Sequence, residues 1–469
     1  MKFKKMMIVC LFILMLSSCA GNGAELLDFM SNEMRIDYGG YEVYYLAYIG
    51  NPSPDTHALI YDTTTIQGDE MLKRLHQIKN DYNIIVTLDS SKEEPDYEMA
   101  HMAGNVRCDI LHLFNLNAMQ HFASNGFLYP LTDFPEYIDL SDTDKYGGAN
   151  VIESTIVNSI PYSVQPLYWF GFQAVDECIL AYNIELLKSN NITDLHEFYE
   201  NKTWTWDTFE KEYLEKFSSI NQDKDFLPIG IESRYLIRSM IHSNNVQFIV
   251  KNDAGENVTN LNSKEFITAY DKAVEWLSKY IPSDPSWRES HSKFMEGSAG
   301  IVYTSGYDVT EATIIYSDFE YGLMPFPCGP DSPYGRWANV SIRTKGAGIS
   351  TASLEPEIAA FTLSQLFEPF EAFGGRNGLY DYFKEYIFLS ETDADIFFDM
   401  AQYLRQNYNY MDGNSVGYRF EETFGDAARR GISASEALGQ HMYILEDMVV
   451  KYMLPNYDYM YEHYYSKLD

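Results

Sequence analysis

Basic residues are scarce: 34 Lys and Arg stand against 68 Asp and Glu, a formal net charge of −34. That balance excludes nucleic acid, because phosphate binding needs cationic side chains to displace counterions. It also excludes a polybasic membrane patch. Long apolar runs are nearly missing; beyond residue 16 none approaches the ~18 residues of a membrane span. Cysteine is sparse at five residues, with no CxxC and no His partner at metal spacing. Cys108, Cys178 and Cys328 therefore read as small buried hydrophobes. What the chain does have is bulk and rings. Its 469 residues are two or three domains' worth, and 46% hydrophobic content excludes wholesale disorder. The 38 Tyr and 28 Phe suit either aromatic cores or aromatic-lined binding surfaces.

The N-terminus sorts the compartment. Lys2, Lys4 and Lys5 precede an apolar run from Met6 to Leu16. At about 11 residues the run fits a signal h-region and falls short of the ~20 of a transmembrane helix. It ends in Leu16-Ser17-Ser18-Cys19, which resembles the bacterial lipobox. The expectation is a signal peptide over 1–18, lipidation at Cys19, and a tether over 19–38. Two or more acyl chains, palmitate among them, would make the attachment stable. An ordinary signal peptide with a chance Cys is the alternative.

The body reads as mixed α/β. Val43–Ala47, Ile84–Leu88 and Asp109–Phe114 are strand-like, and Asp69–Lys79 places Leu72, Leu75 and Ile78 on one helical face. Residues 117–125 read as a helix closed by Gly126. Thr205 caps a helix through Trp206 and Phe209. Asn262 and Glu265 resemble a capping box heading a helix through Phe266, Ala269, Ala273 and Leu277. Ile249 to Glu256 reads as a strand ending in a turn. Trp204, Trp206 and Trp276 read as core. Strand–helix–strand alternation implies parallel crossovers, and such sheets take ligands beyond the carboxyl ends of their strands. Asn115 and Asn117, on the loop after the Asp109 strand, are candidates on that ground.

Catalytic motifs are absent. His196-Glu197 is followed by Phe198-Tyr199-Glu200 and not by an HExxH histidine; Gly297-Ser298-Ala299-Gly300 lacks nucleophile-elbow spacing; no P-loop or GxGxxG occurs. Asp142, Asp144 and Glu153 echo a calcium loop, but Tyr146 at its fifth position supplies no carboxylate, so a solvated acidic turn is expected. No cofactor is expected. The many carboxylates keep a glycan-active enzyme as an alternative.

An ordered series of segments says more than any single motif. It runs through Asp109-Ile110-Leu111-His112-Leu113, Asn125-Gly126-Phe127-Leu128-Tyr129-Pro130-Leu131, Ile160-Pro161-Tyr162 and Ile179-Leu180-Ala181-Tyr182-Asn183. It continues through Thr203-Trp204-Thr205-Trp206, Phe294-Met295-Glu296-Gly297-Ser298-Ala299-Gly300-Ile301, Tyr321-Gly322-Leu323-Met324-Pro325-Phe326-Pro327 and Ala347-Gly348-Ile349-Ser350. In this order, over roughly 80–450, the chain resembles the family 1 extracellular solute-binding proteins of ABC importers, the maltose-binding type. Departures are a longer, more aromatic stretch from Tyr162 to Cys178, a longer stretch from Tyr48 to Gln67, and Asn244-Asn245 where a Gly pair is frequent.

The resemblance implies a periplasmic-binding-protein type II fold: two α/β lobes with crossing hinge strands and a cleft that closes on ligand. The implied division is 39–172 with 340–395 in one lobe and 173–339 with 396–469 in the other. The implied function is non-catalytic: a lipid-anchored, monomeric receptor on the outer face of the cytoplasmic membrane, delivering a carbohydrate to permease subunits. A receptor for a peptide, polyamine or other small solute, and a surface scaffold without a transporter, are the alternatives. Sugars offer apolar C–H faces to aromatic planes and hydroxyls to Asn, Asp and Ser, so net acidity is no handicap for a neutral sugar. The family often places a stacking aromatic where Tyr307 stands, in Tyr303-Thr304-Ser305-Gly306-Tyr307-Asp308, and a second where Tyr418 stands. Ser305 and Asp308 flank the first. Tyr168 and Trp169, in the aromatic run after Pro161, and Trp337 complete the candidates.

Overall fold

The structure is a computed structural model that describes residues 36–47, 66–89, 94–113, 121–146, 152, 156–165, 177–220, 225–281, 283–310, 313–339, 346–375, 378–401, 416–464 and 466. The described residues form two four-stranded sheets, each with its own core, and two small two-stranded ones.

In the first lobe, β1 (Tyr41–Ala47) pairs in parallel with β2 (Ile84–Asp89) and β3 (Ile110–Leu113), and β10 (Gly346–Ile349) closes the edge antiparallel to β3. Period-2 alternation distributes the side chains. Val43, Tyr45 and Ala47 enter a core with Ile84 and Ile110, while Leu46 turns to the opposite face with Leu111 and Leu113. Burial on both faces is why β3 reads as an apolar run, whereas β2, at the sheet edge, buries only Ile84. Helix α1 (Ile66–Tyr82) buries Met71 and Ile78 against the first of these cores, with Asp69 in its first turn and Lys79 in its last, the signs that suit the helix dipole.

The second lobe is built on β4 (Ile179–Asn183), which pairs antiparallel with β8 (Ala299–Thr304) and β9 (Tyr321–Pro325); β5 (Leu227–Gly230) joins β8 in parallel. Every residue of these four strands is buried. Close approach requires glycine at two places. A Cβ on Gly300 would lie 2.1 Å from the Tyr213 hydroxyl, and one on Gly322 would lie 2.5 Å from the Tyr182 ring. The tryptophans expected in the core are there: Trp204 and Trp276 are fully buried and Trp206 nearly so.

Local signals explain the helices of this lobe. Helix α3 (Ser233–Ser243) follows β5 directly. Helix α4 (Lys264–Lys279) buries Phe266, Ala269, Tyr270, Ala273, Trp276 and Leu277, one face at helical spacing. Its cap is Ser263, whose Oγ accepts from Phe266 N at 3.1 Å, one residue later than the expected Asn262. Thr205 caps its helix as expected, accepting from Thr208 N. The segment from Ile249 is a hairpin, β6 (Ile249–Lys251) and β7 (Asn257–Thr259). Residues 121–124 are helical and Gly126 follows with φ +74°.

Core membership departs from the expected lobe division at two places. Phe383, Phe388 and Ala394 pack into the second core, not the first. Asp393 explains the attachment: its carboxylate accepts from Leu323 N of β9 at 2.7 Å and lies 3.1 Å from His196 Nε2. The other place is the C-terminal run. Helix α10 (Ala434–Met448) lies in the second core and continues through a π-helical turn (Val449–Met453) into α11 (Leu454–His463). Val449 and Met453 belong to the second core, but Met460 is buried in the first. Asn456 and Tyr464 fasten α11 there, through Ser159 N at 2.8 Å and Leu140 O at 3.2 Å.

Candidate ligand-binding site

The carboxyl ends of β5 and β8 open on the same side of the second lobe, and the side chains there are pinned by short-range chemistry. Beyond β8, Ser305 Oγ accepts from Asp308 N at 3.2 Å and donates to Asp308 Oδ2 at 2.6 Å, capping α6 (Gly306–Thr310). Ser305 is fully buried and Asp308 nearly so, which leaves Tyr307 as the half-buried residue of the three. The structure thus gives Ser305 and Asp308 the work of holding the loop that presents Tyr307.

His291, on α5 (Trp287–Met295), lies 3.0 Å from Thr304 Oγ1 and 3.9 Å from Asp308 Oδ2. Burial lowers its pKa, against the Trp287 carbonyl and Asp308, which raise it. Ser, Asp and His thus meet, but in the wrong order for nucleophilic chemistry. A base must stand between nucleophile and acid, whereas here Asp308 stands between Ser305 and His291.

Beyond β5, Glu232 leads α3 and does two things. Its Oε1 accepts from Trp287 N at 2.5 Å and its Oε2 from Arg234 Nε at 2.7 Å. Arg234 lies between two rings: its guanidinium carbon is 4.5 Å from the Tyr235 centroid and 5.2 Å from that of Tyr418 on α9 (Val416–Arg429). Its Nη2 donates to the Tyr235 hydroxyl at 2.9 Å. Tyr235 stacks on Tyr303 at 5.2 Å and 14°, and Trp287 meets Tyr235 edge-on at 5.5 Å. The result is a column, Tyr418–Arg234–Tyr235–Tyr303, flanked by Trp287. Burial lowers the Arg234 pKa, but Tyr235, Glu232 and Tyr418 outweigh it and the charge is held firmly.

Under this column sits a buried ion cluster. Arg238, one turn along α3, donates to Glu421 through Nε at 2.6 Å and Nη2, and to Glu177 through Nη1. Tyr303 donates its hydroxyl to Glu177 at 2.8 Å. All three charged side chains are at most 4% exposed. Arg238 also lies 5.0 Å from the Tyr235 centroid. Burial opposes its charge, but Glu177 and Glu421 carry its pKa well above the ordinary value. One guanidinium thus joins the column, α9 and the point where the chain enters the second lobe.

Of the expected site residues, the structure brings Ser305, Tyr307, Asp308 and Tyr418 to these carboxyl-end loops and helices. Trp337 is elsewhere: 5% exposed, in the second core, with its ring 5.8 Å from Tyr199 and 5.3 Å from Tyr334. Cys19, Asn115, Asn117, Tyr168 and Trp169 lie outside the described residues. Cys108, Cys178 and Cys328 are free and buried, as expected of small hydrophobes. Asp142 and Tyr146 flank a short helix over Thr143–Tyr146; Glu153, the far end of the acidic turn, lies outside the described residues. Sequence reasoning missed Glu232, Arg234, Tyr235 and Trp287. The available signal was a charged and aromatic quartet, Glu232-Ser233-Arg234-Tyr235, directly after a strand.

A family model for bacterial extracellular solute-binding proteins matches residues 73–366. The chain belongs to this family. No curated protein sequence matches the chain. Among solved structures, this solute-binding protein is similar to a cyclo/maltodextrin-binding protein complexed with maltotetraose (TM-score 0.59, 13% identity, 89% of this chain and 99% of that one). It is also similar to a sugar transporter from Rhizobium etli in an open conformation (TM-score 0.62, 13% identity, 86% and 99%). A third is an ABC substrate-binding protein from Listeria monocytogenes in complex with cycloalternan (TM-score 0.54, 15% identity, 87% and 98%). These likenesses establish the two-lobe fold of the solute-binding protein. No helix among its described residues is long and apolar enough to cross a membrane.

Proposed function

We propose that the protein is a lipid-anchored receptor that captures an extracellular carbohydrate and delivers it to the permease of an ABC importer. The observation that carries this reading is the ring-and-guanidinium column at the carboxyl ends of the second lobe's strands, with Tyr307 on the helix that follows β8. Rings offer planes to sugar C–H faces, and fixed N–H groups offer donors to hydroxyls. Solved relatives of the same fold hold maltotetraose and cycloalternan, which supports a saccharide here. Tyr307 and Tyr418 supply contacts from the second lobe, and Asn115, Asn117, Tyr168 and Trp169 are the further contacts of this reading. Closure works as a receptor switch because a ligand touching both lobes binds the closed state better than the open one.

The reading excludes catalysis: a glycan incubated with the protein is recovered unchanged. Residues 19–38 serve as the tether, with Cys19 as the lipidated residue; Cys19→Ala moves the protein from the membrane fraction to the soluble one. The decisive experiment is titration calorimetry of the mature protein against oligosaccharides, peptides and polyamines. Saccharide binding with heat release and a raised melting temperature is expected. Binding of peptides or polyamines with none to any saccharide would overturn the assignment.

A further inference from the structure

We infer that the second lobe carries a separate pocket on its flank, walled by aromatic rings, that binds a small organic cation of the alkylated ammonium class. The inference goes beyond the carbohydrate reading and does not depend on it.

The pocket lies where the crossover from α6 to β9 meets the turn Phe383–Ile387. Its volume is about 320 Å³, at the small end of the ~300–1,000 Å³ usual for ligand pockets. Strand register sets it apart from the carboxyl-end loops. Tyr321, in its wall, pairs with Asn183, whereas Thr304, at the carboxyl end of β8, is level with Ile179 and Pro325. The step from Tyr321 to Pro325 along β9 is about 13 Å. The walls are fixed from behind. Phe383 and Phe388 enter the second core on either side of Tyr386, and Asp393 ties the same segment to Leu323 N at 2.7 Å. Phe319 packs edge-on against Phe294 at 5.2 Å.

The lining selects the ligand. Tyr316, Phe319, Tyr321 and Tyr386 bring rings to it, and Tyr316 and Tyr386 stand 70% and 59% exposed. Among the described residues that line it there is no Lys, Arg or His. Thr310 Oγ1 donates to Gly306 O at 2.8 Å and Ser317 Oγ to Ile314 O at 2.8 Å, so both keep lone pairs and have already committed their protons. The pocket thus has ring surfaces and acceptors, and no cationic donor for an anion. Ring faces are the negative poles of aromatic side chains and attract cations, quaternary ammonium groups above all. The surroundings carry the same sign. Asp318 and Glu320 are exposed and alternate in sequence with Phe319 and Tyr321, and a side-chain hydrogen bond joins Glu385 to Tyr386. Lys384, the basic neighbour on the same turn, is paired with Glu391. Alkyl groups on the ammonium match the apolar walls, and its charge matches the rim.

The test is calorimetric titration of the mature protein with choline and acetylcholine, each beside its uncharged isostere, 3,3-dimethylbutan-1-ol and 3,3-dimethylbutyl acetate. At least one cation is expected to bind saturably, and its isostere at least about tenfold more weakly. The double variant Tyr316→Ala, Tyr386→Ala removes two exposed rings, so its melting curve should match wild type while the cation binds at least about tenfold more weakly. Asp318→Asn with Glu320→Gln should weaken the cation and leave the isostere unchanged. No saturable cation binding, an isostere that binds as tightly as its cation, or unchanged cation affinity in the tyrosine double variant overturns the inference. So does loss of cation binding in Tyr307→Ala, which would put the cation at the carboxyl-end loops instead. Failure of every saccharide to bind would overturn the carbohydrate reading and leave a cation lost in the tyrosine double variant as support for this one.

Discussion

Replacing Arg238 by Met should be among the most damaging single changes in the second lobe. The substitution keeps an unbranched side chain of similar length, so packing changes little. What it removes is the cation that bridges Glu177 and Glu421, whose side chains are 2% and 1% exposed. Removing one partner of a buried ion pair costs roughly 3–5 kcal/mol, because the other charge is left without compensation. Here two carboxylates are stranded, so the upper part of that range applies. At 2–4 °C per kcal/mol for a body of this size, about 4–5 kcal/mol is a loss of about 8–20 °C in the melting transition of this lobe. Differential scanning calorimetry of wild type and Arg238→Met measures it. A charge-free triple variant, Arg238→Met with Glu177→Gln and Glu421→Gln, should recover most of the loss, since it leaves no buried charge unpaired. The reasoning fails if Arg238→Met melts within about 2 °C of wild type, or if the triple variant is as unstable as the single.

Tyr307→Ala should weaken saccharide binding by about 1–3 kcal/mol, as loss of an aromatic anchor does, with an unchanged melting curve; unchanged affinity in a titration would remove Tyr307 from the site. Burial, with help from Arg238, lowers His242 to about 3, and its Nε2 is enclosed. In the unfolded chain this ring takes a proton near its ordinary value of about 6.5, so stability contributed by the neutral form is present above that pH and is lost as pH falls below it, by about 1.4 kcal/mol per pH unit. His242→Leu should reduce the acid slope of stability between about pH 6 and 4 by one proton, measured by urea unfolding. Burial pushes the Cys108 and Cys178 thiols up to about 12 and Cys328 to about 11, so a maleimide or disulfide reagent should label none of the three until denaturant is added.

The strands were the most legible part of the sequence, because sheets covered on both faces force runs such as Ile179-Leu180-Ala181-Tyr182 to be apolar throughout. Helix faces were legible for the same kind of reason, although Ser263 displaced Asn262 as a cap by one residue, a shift that a periodic pattern does not resolve. The lobe assignment of residues 383–395 was not legible. Their apolar content says that they are buried, and only the tertiary bond from Asp393 to Leu323 says where. The candidate site divided in the same way. Tyr307 and Tyr418 stand in local contexts that a family pattern reaches. The column itself joins positions 234, 235, 303 and 418, too widely spread for any window of sequence to contain it. Residue type alone did not place Trp337: a large ring serves a core or a ligand equally, and only the fold shows it packed beside Tyr199 and Tyr334 in the second core.

The run from Ala434 to His463 starts inside one half of the molecule and finishes inside the other. Since β1 also belongs to that finishing half, whatever precedes Tyr41 and whatever trails His463 are both joined to the same body. A reporter fused at the tail is therefore carried by the same half as whatever precedes Tyr41, and any movement of one half against the other has to flex this rod, whose π-helical turn Val449–Met453 stands between the two cores' shares of it.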